Sequence, residues 1–319
     1  MKPVLFVTNH IAPSRVGALA ALAERVPLEV VTFGGRLRHG GTPAQAATIA
    51  ERDVFGLAAS GRWSAVICGT SGRVALPAAF AGARRAHAPF VLWASLWAHP
   101  RTPAHVLGYA PTLAIYRGAD AVVTYGEHVS AYVAARGARR VFVAPQSVDN
   151  TFWSEPSGSP AEEFRALFVG RDAPEKGLAV LRAAWPGGGT LEVVTGGRTA
   201  AELRNFYARS HVLVMPSLRT RDFREPWGLA ANEAMNQRTA IIATDQVGAA
   251  AGGLVRHERN GLVVGAGDAA ALAAAIVALR DDAALRDRLA AAGARDVGAF
   301  THAAWASGFE AALREVGAC

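Results

Sequence analysis

Two carboxylates and two cations in the second half of the chain have the types and spacing to handle a charged ligand. Glu225 and Glu233 bracket the segment Glu225-Pro226-Trp227-Gly228-Leu229-Ala230-Ala231-Asn232-Glu233 at spacing i, i+8. Read as one helix, eight residues rise about 12 Å and set the two side chains roughly 80° apart around the axis. A glycosidase holds its carboxyl pair about 5–9.5 Å apart around one bond. The longer spacing suits the two ends of an extended ligand, a sugar at one end and a ribose at the other. Pro226 fits a first helical position, where its missing N–H costs nothing. Gly228 leaves the backbone open to a ligand. The amides of Trp227, Gly228 and Leu229, with the helix dipole, would favour an anion. The same pattern also describes an ordinary amphipathic helix with one capping and one solvated Glu.

Gly170-Arg171-Asp172-Ala173-Pro174-Glu175-Lys176-Gly177 follows an apolar run and offers two cations five residues apart, both able to reach one diphosphate. Lysine occurs only at positions 2 and 176, every other basic residue being Arg. Lys176 therefore stands out as a compact point charge. Gly265-Ala266-Gly267-Asp268-Ala269-Ala270 matches a dinucleotide fingerprint but follows only a short strand and lacks a completing βαβ unit, so it reads as a plain strand-to-helix turn. No Asp-x-Asp, HExxH or paired CxxC occurs, and no metal site is expected; Gly-x-Ser-x-Gly is absent too, which argues against a hydrolase elbow.

The elements that must carry these residues follow from periodicity. Apolar, β-prone runs at 4–8, 28–33, 65–68, 90–94, 121–124 and 141–144 alternate with helical patterns at 15–25, 74–86, 113–117 and 128–136. Residues 36–48, polar and Gly-containing, read as a mobile loop, and 151–161, with Pro156, Gly158 and Pro160, as a linker. The alternation then restarts, with strands at 166–169, 191–195, 212–215, 240–244 and 261–264 and a helical tail at 282–318 anchored by Trp305 and Phe309. Such alternation predicts parallel sheets covered on both faces. The chain thus reads as two doubly wound α/β domains in tandem, with ligands beyond the carboxyl ends of the strands.

The 319 residues suffice for two domains. No run of eighteen apolar residues occurs, and the start lacks a signal-peptide pattern, so a cytoplasmic location is expected. Two cysteines, Cys68 and Cys319, make no disulfide framework. Residues 1–148 hold 15 Lys+Arg against 6 Asp+Glu, whereas 149–319 hold 18 against 20. The first half is therefore expected to meet an anionic partner: a membrane surface, a lipid phosphate or an acidic substrate. No nucleic acid is expected. In this half His99 and Arg101 lie in a polar-aromatic segment, 95–111, after a strand end.

Glu225-Pro226-Trp227-Gly228-Leu229 with Glu233-Ala234-Met235 resembles the E-x7-E segment of retaining glycosyltransferases of family 4. Phe168-Val169-Gly170-Arg171 with Glu175-Lys176-Gly177 resembles that family's diphosphate-binding segment, and Thr244–Gly248 followed by Asn260–Val264 fits the same order. The resemblance covers 141–300 and implies a GT-B fold, two Rossmann-like domains facing a central cleft, bacterial and metal-independent. Residues 1–148, with a last helix at 302–319, would bind the acceptor, and 149–301 the nucleotide-sugar donor. Arg171 and Lys176 would neutralise the leaving diphosphate, Glu225 would contact the donor sugar and Glu233 the ribose. Gly17, Gly170, Gly196 and the 226–229 segment would complete the donor site. Arg15, Ser95, His99 and Arg101 would lie on the acceptor side. The implied function is glycan or glycoconjugate biosynthesis with no cofactor beyond the nucleotide-sugar; the acceptor would be a glycan, lipid-linked or small molecule, met in the cytoplasm or at the inner membrane face. Two departures matter. The family's His after the fourth strand falls near Ser95, with His99 four residues on. The usual helix and strand after Gly196-Gly197 are missing. An epimerase of similar fold, or a non-catalytic nucleotide-sugar-binding protein, are the alternatives.

Overall fold

The computed structural model describes residues 2–34, 46–72 and 74–319. The chain divides into two compact units, Met1–Gln146 with His302–Cys319, and Ser147–Thr301. The sequence reading placed the division two residues later. The polar stretch read as a mobile loop falls mainly on 35–45, outside the described residues.

Unit 1 carries a parallel sheet of seven strands: β1 (Val4–Thr8), β2 (Leu28–Thr32), β3 (Ala47–Thr48), β4 (Val66–Gly69), β5 (Phe90–Ala94), β6 (Ala121–Thr124) and β7 (Val141–Val143). Their order is β3-β2-β1-β4-β5-β6-β7, so the winding reverses between β1 and β4. Every residue of β1, β4, β5 and β6 is buried, as a sheet covered on both faces requires. The tail is two helices, Ala283–Asp296 and His302–Glu315, joined by a tight turn at Val297–Ala299. The second packs in unit 1. Trp305 and Phe309, both fully buried, meet Phe6 of β1 with ring centroids 6.3 and 5.6 Å away. A Cβ on Gly308 would stand 2.3 Å from the Val143 carbonyl, so only glycine permits this approach. Arg25 donates to Glu310 at 2.8 Å on the same seam.

Unit 2 has five parallel strands, β8 (Arg165–Val169), β9 (Thr190–Val194), β10 (Val212–Met215), β11 (Ala240–Thr244) and β12 (Leu262–Val264), in the order β12-β11-β10-β8-β9. Its winding reverses between β8 and β10. The linker reading of 151–161 needs correction. Residues Asn150–Ser154 form a helix because Asp149 caps it, its carboxylate accepting from the Thr151 and Phe152 amides. After edge strand β9 the chain enters the Ala200–Ala208 helix directly, started by a capping box of Thr199 and Glu202. The Gly265–Ala270 stretch is a turn out of a three-residue edge strand, with Asp268 capping the Ala269–Asp281 helix. Among the described residues no helix is long and apolar enough to cross a membrane.

The loops at the carboxyl ends of β8, β10 and β11 are strapped together. The Leu218 amide donates to the Glu175 carbonyl at 2.8 Å, and Thr244 Oγ1 to the Ser217 carbonyl at 2.6 Å. Gly177 sits at φ +70°, and a Cβ there would lie 1.9 Å from the Pro216 carbonyl oxygen. Gly177→Ala must then strain the backbone and part the two loops, with an expected loss of about 2–4 kcal/mol. Gly187, at φ +75° with open space around it, supplies the control. Gly187→Ala should cost about 1 kcal/mol, and equal losses by urea denaturation would contradict the steric account.

Candidate functional site

The site in unit 2 sits at its switch point, where crevices form in open α/β sheets. The loop leaving β8 brings Gly170, Arg171 and Lys176; the loop leaving β10 brings Glu225. The Lys176 ammonium donates to Glu225 Oε2, with both side chains largely buried. Glu225 also aligns with Val247 in an isolated parallel bridge, which draws in the loop after β11. Arg171 pairs with Glu175 across one turn at 2.7 Å and remains about one-third exposed. Gly170 turns the chain close to the Lys176 stem, 3.6 Å from a hypothetical Cβ. The two cations are thus displayed differently, Lys176 held inward and Arg171 at the rim.

The segment after Glu225 departs from the sequence reading. The helix spans only Ala230–Asn236, so Pro226 is not its first residue and the two carboxylates do not lie on one helix. Glu225–Leu229 is a shaped loop. Gly228 has φ +94°, and a Cβ there would stand 2.5 Å from Met215 Cε, so its lack of a side chain serves packing against β10. Trp227 is buried and donates from Nε1 to Asn232 Oδ1 at 2.8 Å, with its ring 5.8 Å from Phe300. The Ala249 amide donates to the Trp227 carbonyl at 2.7 Å, and Gly248 passes against the Pro226 carbonyl, where a Cβ would stand only 2.0 Å away. These contacts tie the loop to the segment after β11, and the Lys176–Glu225 pair ties it to the loop after β8. Leu229 caps the short helix from a helical backbone conformation.

Glu233 lies one turn into that helix. Burial pushes its carboxyl up to about 7, while the Tyr207 hydroxyl, donating to Oε2 at 2.7 Å, pulls the other way. Desolvation wins although the residue keeps partial exposure. Tyr207, itself wholly buried, is the partner that sequence reasoning missed. Nothing in the spacing of 207 and 233 links them; only the adjacency of their two helices does. Gly196, at φ +140° and exposed, lies beyond the end of edge strand β9.

In unit 1 the candidates separate. Arg15 and Ser95 line one cavity of about 340 Å³ at the carboxyl ends of β1, β4, β5 and β6. Ser95 Oγ is 3.1 Å from Thr70 Oγ1 on its wall. Gly17 is not open to a ligand: the His302 ring fills the space, 2.4 Å from where a Cβ would be. His99 is held within its own segment, Nε2 at 2.7 Å from the His105 carbonyl and the ring 4.7 Å from Tyr109. Arg101 is exposed just before the Pro103–Leu107 helix. Neither His99 nor Arg101 lines the cavity. Thr70, Trp93 and Tyr125 do, and the sequence did not single them out for that role.

Comparison with known proteins supports this architecture. Residues 159–282 match the family described as glycosyl transferases group 1. No curated protein matches the chain. Among solved structures, Anabaena HepE in complex with UDP and glucose superposes with a TM-score of 0.77 at 17% identity, covering 98% of this chain and 100% of that one. Sucrose-phosphate synthase from Thermosynechococcus elongatus gives 0.71 at 18% identity over 100% of both chains. A trehalose 6-phosphate synthase from Burkholderia multivorans gives 0.71 at 13% identity, over 100% of this chain and 97% of that one. The chain has the GT-B fold of two parallel-sheet α/β domains, and its second domain is similar to group 1 glycosyl transferases.

Proposed function

We propose that the chain is a retaining, metal-independent glycosyltransferase that moves a sugar from a nucleotide-diphosphate donor to an acceptor hydroxyl, in glycan or glycoconjugate assembly. The observation that carries this is the inward ion pair of Lys176 and Glu225 at the unit 2 switch point, with Arg171 at the rim. HepE, which binds UDP, glucose and UDP-glucose in solved complexes, shares the fold and so makes a uridine donor the first to try.

In this reading the diphosphate lies against Arg171 and Lys176, and the sugar meets Glu225. The bond from the anomeric carbon to the phosphate oxygen breaks with its electron pair on the phosphate. The acceptor hydroxyl adds to the same face of the sugar, and its proton passes to the departing phosphate. The negative charge that grows on the diphosphate is met by fixed cations in a water-poor site, where they stabilise it most. Glu225 keeps Lys176 oriented before the donor arrives, so little reorganisation remains for the reacting complex. Glu233 lies on the helix behind the loop, on the side assigned to the ribose. The reading makes 149–301 the donor half and 1–148 with 302–319 the acceptor half.

Lys176→Ala should lower the rate of sugar transfer about 10²–10³-fold and weaken nucleoside diphosphate binding, with the fold intact by circular dichroism. Turnover at the unsubstituted rate in that variant would sink the proposal. A second expectation concerns Glu233. Its folded-state value, about 7, lies above that of an unfolded carboxyl, roughly 4.3. Between these values the native state holds a proton that the unfolded chain has released, so stability falls as pH rises from about 4.5 to 7 and then levels. Glu233→Gln should remove that slope and gain about 1–3 kcal/mol at pH 8. Melting curves that keep the wild-type pH dependence would place the ionisation elsewhere.

A further inference from the structure

The unit 1 cavity lies where the first sheet reverses its winding, and its lining mixes apolar and polar residues without a carboxylate among the described ones. Among the described residues its polar groups are Thr8, Asn9, His10, Arg15 and the hydroxyls of Thr70, Ser71, Ser95 and Tyr125, and none that lines it is Asp or Glu. Arg15 supplies its charge. The guanidinium stacks between Trp93 and Trp305, 5.0 and 5.4 Å from the ring centroids, and Nη2 donates to Gln146 Oε1. Its Nη1 is buried with no hydrogen-bond partner among the described residues, as is Nε1 of the neighbouring Trp93. Burial lowers the Arg15 value. Tyr125 is pushed above its ordinary range by burial, so its hydroxyl stays protonated and can donate.

Stacking on aromatic faces gives an enclosed cation about 2 kcal/mol, whereas burying a charge without a counter-ion costs several. Packing alone therefore leaves Arg15 under-compensated. An incoming anion removes the deficit, since a charge-assisted bond in a water-poor pocket is stronger than one at the surface. The cavity's size lies within the roughly 300–1,000 Å³ of small-molecule sites. The surrounding field agrees: unit 1, residues 1–146 with 302–319, holds 16 Lys+Arg against 8 Asp+Glu, which draws anions toward it.

We propose that this cavity binds the acceptor through an anionic group, so that the acceptor is an acidic sugar bearing a phosphate or a carboxylate, with Arg15 as its counter-ion and Thr70, Ser95 and Tyr125 as further donors. The proposal rests on the glycosyl-transfer reading for the word acceptor; the anion site itself does not.

Calorimetric titration of the full chain with glucose 6-phosphate, glucuronate, inorganic phosphate and glucose tests it. At least one charged sugar should bind about tenfold or more tightly than glucose, and the phosphate and carboxylate arms show which anion is used. Arg15→Lys, which keeps the charge but loses the planar stack, and Thr70→Val, on the cavity wall, should each weaken that binding about tenfold. UDP binding should stay unchanged in both. Equal binding of glucose and its charged relatives, no binding of any anion, or unaltered affinity in a folded Thr70→Val variant would overturn the proposal. Failure of the transfer reading shows separately, as no consumption of any nucleotide-sugar while the anion titration is unaffected.

Discussion

The backbone strapping of the loops after β8, β10 and β11 is the constraint on which the second domain's site depends, because it sets a buried ammonium beside a buried carboxylate, Lys176 with Glu225. Taking both ions out of water costs several kcal/mol each, and the pair returns this only when geometry holds them close. Each comes from a different strand-end loop, so the loops must be locked before the pair can form. The lock consists of backbone: Gly177 against the Pro216 carbonyl, the Leu218 amide on Glu175, Gly248 against Pro226. Glycine is required at 177 and 248 because main chain, not a ligand, occupies the space a side chain would take. The pair therefore reads as a consequence of the strapping, which fixes where the ammonium and the carboxylate stand.

That logic also marks what the sequence could disclose. Nearly every strand was legible, since parallel strands buried on both faces leave unbroken apolar runs such as Val4–Thr8, Phe90–Ala94 and Ala240–Thr244. Lys176 was legible because lysine is almost absent elsewhere. The start of the Ala230–Asn236 helix was not. Pro226 is a good first helical residue, but the Trp227 carbonyl accepts from Ala249 and the Pro226 carbonyl is packed against Gly248, contacts with a loop that follows another strand. Tertiary demand overrode local propensity there. Residues 151–161 were read as linker because Pro156, Gly158 and Pro160 dominate the composition, while the single capping carboxylate of Asp149 was enough to start a helix over Asn150–Ser154.

The first domain was harder for a related reason. Its cavity joins residues from the ends of four strands, and the cation in it is held by tryptophans from β5 and from the last helix. No spacing rule connects Arg15 with Trp93 and Trp305. His99 and Arg101 drew attention as polar residues in an aromatic stretch, yet His99 is tied to His105 and Tyr109 of its own segment. Gly17 was expected in the donor site, and the last helix uses the space that it frees for His302. A glycine shows that something comes close; only the fold shows what.

The two domains thus handle positive charge in opposite ways, and the difference bears on what each can bind. In unit 2 the buried cation already has a carboxylate partner, so an anionic ligand must compete with Glu225 for Lys176, and Glu225 can take the ammonium back as the ligand departs. In unit 1 the buried guanidinium faces aromatic rings and hydroxyls, weak partners that an anion outbids without displacing any ion. A donor whose diphosphate must leave after each turnover suits the first arrangement. A group that is held for orientation and never reacts suits the second, because uniform binding that persists through the transition state positions a substrate without altering the chemistry at its other end.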